Sequence, residues 1–352
     1  MKEYSFGFIY LFTLIILLII SSCHNTSPKS TTTHLGFYHW QTNFDLSSKE
    51  AQFIDSLNVE HCYIKFFDID WDFQRKEAIP HASLEVSTTL PDAIQIVPTI
   101  FITNRTFQHI SISAIEELSK RVAEKILHQF NNFPNHAIQL IQIDCDWSQS
   151  TQTTYFSFLK NLQNQLANQE IQLSATIRLH QIKYVDKTGI PPVAKGLLMF
   201  YNMGEVSKIA TINSILDLAA AKKYTASLSE YPLHLDLALP LFQWGVLFRN
   251  GKMIQLINQL QETELVDTTR FLAIAPLKWK VLKDTYLNGL FLYEGDFIRL
   301  EKVTKKDLLA ASKLLQPYFS EKEFDLLFYH LDDSVLNNFS TDDLEEIVQQ
   351  FN

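Results

Sequence analysis

From Leu35 onward, short apolar runs of strand length alternate with longer segments whose apolar residues recur at helical spacing. Such alternation is typical of βα units, in which each parallel strand is followed by a helix that covers the sheet. Eight of these runs predict an α/β fold of eight parallel strands, which is a (β/α)8 TIM barrel. The predicted strands cover residues 35–41, 61–70, 95–103, 138–148, 172–180, 196–204, 233–241 and 325–330.

The segment after the seventh predicted strand interrupts this alternation. The strand-like sequence runs on as FQWGVLF, and the stretch from about 249 to 301 is too long for an ordinary βα loop. Gly295-Asp296 lies between two short apolar runs, which predicts a β-hairpin and hence a small insertion over the barrel mouth. The predicted helices cover residues 47–57, 113–130, 151–168, 207–221, 305–315 and 341–351.

The first 23 residues carry the features of an export signal. Lys2 precedes an apolar run over residues 6–20, and two serines lead into Cys23. The ~15 apolar residues fall short of the ~20 that a membrane span needs, and the pattern resembles a bacterial lipoprotein signal. The resemblance implies removal of residues 1–22 and attachment of a lipid such as palmitate to Cys23. The chain would then be anchored to a membrane of the bacterial cell envelope, on its periplasmic or outer face. Residues 23–33 are predicted to be a flexible tether, and residues 34–352 the barrel domain.

Charge and motif content exclude several classes of function. A formal net charge of −9 without a basic cluster argues against a nucleic-acid partner. The sequence contains no nucleotide-binding glycine loop and no G-x-S-x-G nucleophile elbow. His39, His180 and His330 follow predicted strands, but their spacing matches no metal motif. We therefore predict that the chain uses no cofactor and no metal. We also expect a monomer.

Cys62 and Cys145 lie inside the second and fourth predicted strands. Strands two apart in a sheet are separated by roughly 9–10 Å, which is beyond the reach of a disulfide bond. Both cysteines are therefore expected to be buried thiols.

Aspartates follow the apolar runs of the second and fourth predicted strands. The fourth strand reads IQLIQIDCDWS, so Asp144 and Asp146 are two residues apart and point to the same side. The second strand ends in Asp68 and Asp70. Because barrels of this type carry their sites at the carboxyl ends of the strands, these carboxylates are candidates for sugar binding or catalysis. Alternatively, they only hydrogen-bond barrel side chains and loop amides.

Asp146 and Asp70 form the predicted catalytic pair, and Asp144 is a further catalytic candidate. Acids on the second and fourth strands of a barrel can stand ~5–9 Å apart, which is the range that glycoside hydrolysis uses. The alternative for Asp70 is a role in a turn or at a helix cap.

Aromatic residues crowd the same strand ends. The apolar faces of sugar rings stack on such side chains, while carboxylates and amides bind the hydroxyl groups. Arg178, at the end of the fifth strand, fits either an anionic group of a ligand or a salt bridge to a nearby aspartate. The predicted substrate-binding residues are Trp40, Asp68, Trp147, Arg178, Tyr201, Asn202 and Trp244.

Four short motifs resemble those of the family-18 glycoside hydrolases, the chitinase group. They are Gly36-Phe37-Tyr38 with Trp40, similar to the first-strand G-Y-x-x-W; IDCDW, similar to the fourth-strand D-x-x-D-x-D-x-E; MFYN, similar to the sixth-strand M-x-Y-D; and LPL, similar to the seventh-strand L-P-F. They occur in the expected order and span residues 35–248. The resemblance implies a TIM barrel that takes a glycan at its strand ends.

Three positions depart from these motifs. Ile141 stands at the first acid of the fourth-strand motif, Ser148 at its glutamate, and Asn202 at the sixth-strand aspartate. In the family the glutamate donates a proton to the leaving oxygen, which a serine cannot do near neutral pH. We therefore expect a membrane-anchored, glycoside-hydrolase-like barrel that binds a carbohydrate, with hydrolysis left open. The alternative is a catalytically inactive envelope lipoprotein that serves as a glycan-binding or scaffold protein.

Overall fold

The structure is a computed structural model that describes residues 32–320 and 322–352. The predicted signal peptide, Cys23 and nearly all of the predicted tether lie outside these residues. Within the described part of the chain, no helix combines the length and apolar character needed to cross a membrane.

Eight parallel strands close into a barrel. Each strand pairs with its neighbour in the sequence, and β1 pairs with both β2 and β8, which closes the sheet. The predicted (β/α)8 fold is therefore confirmed. The strands are β1 (Thr32–His39), β2 (His61–Asp72), β3 (Gln95–Ile102), β4 (Leu140–Asp144), β5 (Gln172–Arg178), β6 (Lys195–Met199), β7 (Leu235–Pro240) and β8 (Glu323–Tyr329).

Seven of the eight strands end earlier than the sequence predicts, and the differences are largest at β4 and β6. β4 ends at Asp144, β5 at Arg178 and β6 at Met199, whereas the predictions extend to residues 148, 180 and 204. All five residues of β4 are buried, and exposed polar residues begin shortly after its end, at Asp146. The polar residues beyond these strands therefore belong to loops around the barrel mouth.

Helices cover the outside of the barrel, except between β2 and β3. There the described chain forms the strand Glu77–His81, which runs antiparallel to the end of β2. The helices are α1 (Ser48–Ser56), α2 (Asn104–His109), α3 (Ile115–Phe130), α4 (Gln152–Leu166), α5 (Leu179–Lys183), α6 (Val185–Thr188), α7 (Leu218–Thr225), α8 (Lys305–Phe319), α9 (Asp333–Leu336) and α10 (Thr341–Val348). Short 3-10 helices span Ile112–Ala114, Ala167–Gln169, Ala226–Leu228 and Glu262–Leu265, and the two-residue strands Asn43–Phe44 and Glu85–Val86 pair with each other.

The helix predicted over residues 207–221 is wrong for most of its length, because α7 begins only at Leu218. Asp217 caps this helix by accepting a hydrogen bond of 2.9 Å from the backbone nitrogen of Ala220. Upstream, Oδ1 of Asn213 accepts a 2.9 Å hydrogen bond from the backbone nitrogen of Ile215. Such local side-chain bonds compete with helix formation, so residues 207–217 form a loop.

The insertion after β7 is a five-stranded antiparallel sheet, and it begins at Trp244 rather than near residue 249. Its core is a separate apolar cluster that includes Trp279. In spatial order the strands are Lys252–Asn258, Trp244–Arg249, Phe297–Glu301, Lys278–Val281 and Phe271–Ala275.

The hairpin predicted across Gly295-Asp296 is also wrong. Asp296 is buried and accepts two hydrogen bonds of 2.8 Å from Arg249, which fixes the chain before strand Phe297–Glu301 pairs elsewhere in the sheet. The hairpin instead turns at Asn288-Gly289, between strands Thr285–Leu287 and Leu290–Leu292. Both turn residues have positive φ angles, 49° and 77°, as a tight two-residue hairpin turn requires.

A buried ion pair joins the insertion to the barrel. Arg299 and Glu301 are both almost completely buried, and Nε of Arg299 donates a 2.7 Å hydrogen bond to Glu301. The same guanidinium donates to the backbone oxygens of Val206 and Lys208, in the loop after β6. Glu301 also accepts a 2.9 Å hydrogen bond from Nε1 of Trp244. The insertion therefore holds Trp244 in place at the barrel mouth.

A second buried charge cluster lies at the amino ends of β6, β7 and β8. Nζ of Lys195 lies 2.7 Å from a carboxylate oxygen of Asp236 and 2.7 Å from one of Asp325. Asp325 also accepts a hydrogen bond of 2.8 Å from the hydroxyl of Tyr63 and pairs with His61. These contacts close the end of the barrel opposite to the mouth.

Cys62 and Cys145 are both free and buried. Burial raises the pKa of the Cys62 thiol to about 12 and raises that of Cys145 as well. The prediction of two buried thiols is confirmed.

Candidate functional site

A cavity opens at the carboxyl ends of the barrel strands. Its volume is about 570 Å3, within the range of ~300–1,000 Å3 that is typical of small-ligand sites. A second cavity of about 480 Å3 adjoins it and shares three of its lining residues. The first cavity is lined by the aromatic residues Trp40, Tyr201, Phe242, Trp244 and Tyr329, by Met199, and by the polar residues Gln41, Asp144, Arg178, Asn202, Gln243, Asn258, Gln259, His330 and Asp332.

The structure brings most of the predicted site residues to this mouth. Asp70 and Trp147 line neither cavity, and Asp68 lies close by without lining either. Asp146 lines the second cavity, beside His180 and Tyr224. The predicted residues that line the first cavity are Trp40, Asp144, Arg178, Tyr201, Asn202 and Trp244.

Asp144 is the last residue of β4 and is almost fully buried. The hydroxyl of Thr176 on β5 donates a 2.6 Å hydrogen bond to its Oδ1 atom. Burial raises the pKa of Asp144 to about 6, the neighbouring charge of Asp146 adds to this rise, and Arg178 opposes it. Asp144 therefore gains and loses its proton close to neutral pH, as a general acid or base must.

Asp146 and Arg178 form a salt bridge between the ends of β4 and β5. Nε of Arg178 donates to Oδ1 at 2.6 Å, and Nη2 donates to Oδ2 at 3.1 Å. The side chain of Asp146 is 53% exposed, so this carboxylate lies at the rim. The remaining nitrogen of Arg178, Nη1, is buried and has no hydrogen-bond partner within the described residues. Both oxygens of Asp146 therefore accept hydrogen bonds from Arg178. Of the two aspartates, Asp144 is the one whose carboxyl group lines the first cavity.

Asp70 is held away from the site by a second arginine. Nε of Arg105 donates to its Oδ1 atom at 2.7 Å, Nη2 bonds the other oxygen, and Thr103 donates at 2.6 Å. The hydrogen bond from Arg105 is the main reason that the pKa of Asp70 lies well below its usual value. An aspartate that stays ionised in this way cannot donate a proton. Asp70 also lines neither cavity, whereas Asp146 lines the second, so the structure does not bring the predicted catalytic pair of Asp70 and Asp146 together.

Asp68 belongs to β2 and lies close enough to Asp144 for its charge to act there. One carboxylate oxygen accepts a 3.3 Å hydrogen bond from Nζ of Lys65, and the other is buried without a partner within the described residues. Lys65 in turn lies 5.6 Å from the ring centre of Trp40. The charge of Asp68 also contributes to the raised pKa of Asp144. Asp68 thus acts on the site through Lys65 and Asp144.

Trp147 does not belong to the mouth, and its predicted role in substrate binding is corrected. Its side chain is 1% exposed, stacks on Tyr155 of α4, and donates a 2.8 Å hydrogen bond from Nε1 to the backbone oxygen of Thr188. Cys145 and Trp147 are buried and Asp146 between them is exposed, so the side chains keep alternating beyond the end of β4, and Trp147 projects away from the mouth. This alternation was available in the sequence.

Tyr329 is the central aromatic residue of the cavity, and the sequence-based prediction missed it. Its ring centre lies 5.3 Å from that of Tyr201, 5.6 Å from that of Trp40 and 5.6 Å from that of Phe242. Tyr329 ends β8, so an inspection of every strand end for aromatic residues would have found it. His330 and Asp332 follow it into the cavity lining.

Ser148 and Asn202, which replace acidic residues of the family motifs, differ in their relation to the cavities. Ser148 lines neither cavity, and its backbone nitrogen donates a 2.9 Å hydrogen bond to the hydroxyl of Thr151 just before α4. Asn202 lines both cavities and has a φ angle of 55°, a conformation that asparagine tolerates better than most residues. An amide and no carboxylate is therefore presented where the motif has an aspartate.

Within the described residues, no group of three or more histidine, cysteine, aspartate or glutamate side chains is arranged to hold a metal ion. No family model matches the sequence. No curated protein matches it either.

Solved structures do match over most of the chain. The GH18 chitinase ChiB of Flavobacterium johnsoniae has a TM-score of 0.55 at 12% identity and covers 92% of this chain and 94% of its own. The spore cortex-lytic enzyme SleL of Bacillus megaterium has a TM-score of 0.54 at 10% identity, covering 93% of this chain and 76% of its own. A chitinase from Chromobacterium violaceum has a TM-score of 0.51 at 10% identity, covering 90% and 99%. Such low identities show the fold alone, and that fold is the chitinase-like TIM barrel that the four motifs predict.

Proposed function

We propose that this barrel binds a carbohydrate in the cavity at the carboxyl ends of its strands. The observation that carries the proposal is the lining itself, in which aromatic rings face a buried carboxyl group, an arginine and several amides across about 570 Å3. Aromatic faces suit the apolar side of a sugar ring, and the polar groups suit its hydroxyls. The similar solved proteins support the proposal, because they are named as chitinases and as a spore cortex-lytic enzyme.

Binding can be followed through the tryptophans of the lining. We expect Trp244→Ala to weaken binding of an oligosaccharide about tenfold, or ~1.4 kcal/mol, because the stacking surface is lost. Calorimetry on parent and variant measures the change after a glycan array has identified a ligand. Trp71→Ala is the matched control, since Trp71 stacks on His109 and lines neither cavity. Equal affinity in parent and Trp244→Ala would contradict the placement of the ligand.

Hydrolysis is the second candidate function, and the pKa of Asp144 favours it. A carboxyl group with a pKa of about 6 is half protonated near pH 6 and still ~10% protonated at pH 7, far more than an ordinary aspartate, so it can act as a general acid on the acid side of neutrality. Turnover should then fall as the pH rises above about 6, and Asp144→Asn should lower it by at least ~10²-fold. Sugar release from a panel of oligosaccharides measures both. A parent protein that binds sugars and releases no product instead supports the inactive, glycan-binding lipoprotein.

Ser148→Glu tests whether the barrel lacks hydrolytic activity because the glutamate of the family motif is missing. The glutamate restores the residue that the family motif has at this position. Chitin-type hydrolysis by this variant and not by the parent would identify a chitinase-like barrel that lacks its acid. Hydrolysis by the parent that survives Asp144→Asn would contradict the role of Asp144.

We further propose that the chain is anchored to an envelope membrane through Cys23. The proposal rests on the apolar run, the two serines and Cys23 in the sequence. Cys23→Ala should prevent lipid attachment and leave an uncleaved precursor or a mislocalised protein. Metabolic labelling with a fatty acid and membrane fractionation provide the measurement, and an unchanged distribution would refute the anchor.

A further inference from the structure

The charged side chains around the barrel mouth include more aspartates than cations. Each cationic side chain there already pairs with an aspartate on the same rim, so its charge is compensated, although Nη1 of Arg178 has no hydrogen-bond partner within the described residues. The pairs are Lys65 with Asp68, Arg105 with Asp70, and Arg178 with Asp146. Two carboxyl groups that line the cavity, those of Asp144 and Asp332, make no ion pair within the described residues.

Asp332 is buried and held by neutral donors only. Its carboxylate accepts hydrogen bonds from Nε2 of Gln41 at 2.5 Å, from Nε2 of Gln259 at 3.1 Å, and from the backbone nitrogen of Ser334 at 2.9 Å. These bonds fix the carboxylate in position and leave its charge uncompensated. An ionised Asp144 adds a second negative charge without an ion pair, because the group that donates a hydrogen bond to it is the neutral hydroxyl of Thr176.

The histidines nearby do not supply the missing positive charge. Burial lowers the pKa of His39 to about 4 and lowers that of His330, so both rings are neutral near pH 7. The cavity therefore carries a net negative charge when Asp144 is ionised. Charge complementarity favours a cationic occupant over an anionic one.

Two further features of the lining point to a ligand of this kind. The hydroxyl of Tyr201 is buried, lines the cavity, and has no hydrogen-bond partner within the described residues. The rings of Trp40, Tyr329 and Trp244 form the walls, and aromatic faces attract ammonium groups. The site thus offers an unused polar group for a ligand hydroxyl and an anionic, aromatic enclosure for a positive charge.

We propose that the ligand is a glycan that carries at least one free, protonated amine, such as a 2-amino-2-deoxyhexose unit without an N-acyl group. This inference rests on the proposed carbohydrate-binding function and names its ligand class. The ammonium group binds beside Asp144 and Asp332, and the sugar ring stacks on the aromatic walls.

Three β-1,4-linked tetrasaccharides test this inference, because they differ only at carbon 2 of each ring. They are the tetramers of glucosamine, N-acetylglucosamine and glucose, titrated by calorimetry into the full chain in a detergent without a sugar head group. We expect the glucosamine tetramer to bind at least about tenfold more tightly than either of the others near pH 7, as charged hydrogen bonds contribute. This preference should shrink as the pH falls below about 6, because Asp144 then takes up a proton.

Variants assign the preference to the two carboxylates. Asp144→Asn and Asp332→Asn should each lower the affinity for the glucosamine tetramer about tenfold and leave that for the glucose tetramer nearly unchanged. Asparagine keeps the size of the side chain, and at position 332 it remains a good cap for α9. Asp333→Asn is the matched control, since Asp333 is exposed, bonds to Ser47 and does not line the cavity.

The outcomes separate this inference from the function on which it rests. Equal or tighter binding of the neutral tetramers would overturn the amine preference and leave carbohydrate binding standing. Failure of all three tetramers to bind would overturn both. A preference that persists in Asp144→Asn and Asp332→Asn would also overturn the inference, because the charge would then come from elsewhere.

Discussion

Replacing Lys195 with methionine should lower the free energy of unfolding by about 3–5 kcal/mol near pH 7. Asp236 and Asp325 are both buried, and Nζ of Lys195 lies 2.7 Å from each. Methionine fills a similar volume but leaves the two carboxylates close together without this cation. His61 can still pair with Asp325, whereas Asp236 loses its closest positive charge. Urea denaturation of parent and variant measures the difference.

The pH dependence identifies the cause of this loss. The deficit of Lys195→Met should shrink as the pH is lowered, because the two unpaired carboxyl groups can then take up protons. Lys322→Met is the matched control, since Lys322 lines the same end of the barrel, is exposed and forms no ion pair within the described residues. Its effect should stay within about 0.5 kcal/mol. A similar loss in both variants would contradict the assignment to buried charge.

Asp144→Asn should have the opposite effect and raise the free energy of unfolding at pH 7 by about 1–3 kcal/mol. The pKa of Asp144 is about 6 in the folded chain, against 3.8 for an ordinary aspartate, because burial disfavours the charged form. The folded chain therefore binds more protons than the unfolded chain between these two values, and stability falls as the pH rises through this window. Asparagine removes the charge and still accepts the hydrogen bond from Thr176.

The difference in the free energy of unfolding between the parent and Asp144→Asn reports on the carboxyl group of Asp144 alone. Unfolding measured from pH 4 to pH 7 should show the stability of the parent falling relative to Asp144→Asn, and the two should converge at the acid end. Asp333→Asn, which removes an exposed carboxylate, should show no such divergence. A less stable Asp144→Asn at pH 7 would mean that the carboxylate is stabilised in the fold. Stability that increases while binding or turnover decreases is the behaviour expected of a functional group.

The barrel mouth was partly predictable because strand ends can be read locally. Asp144, Arg178, Tyr201 and Trp244 follow apolar runs, and parallel strands bring such positions to one end of a barrel. The same logic applied to the eighth strand would have added Tyr329. The error at Trp147 came from counting an aromatic residue near a strand end without following the side from which it projects.

The order of residues along the chain was enough to predict the eight-stranded barrel, the approximate positions of its strands and most of its helices, and which strand ends carry acids and aromatic rings. These properties depend on the spacing of apolar residues along the chain, which is local information. Which charged side chains pair with each other became clear only from the folded structure. Arg105 binds Asp70 away from the candidate site, Arg178 binds Asp146, and Asp144 is buried without an ion pair within the described residues.

The insertion after β7 likewise combines features that the sequence predicts with features that depend on the folded structure. Its approximate position was predictable, but its five-stranded sheet, its start at Trp244 and the pairing of strand Phe297–Glu301 depend on partners far away in the sequence. Salt bridges and antiparallel pairings are settled by which surfaces come together and how deeply each charge is buried. Neither quantity exists before the chain has folded, so neither can be read from the spacing of its residues.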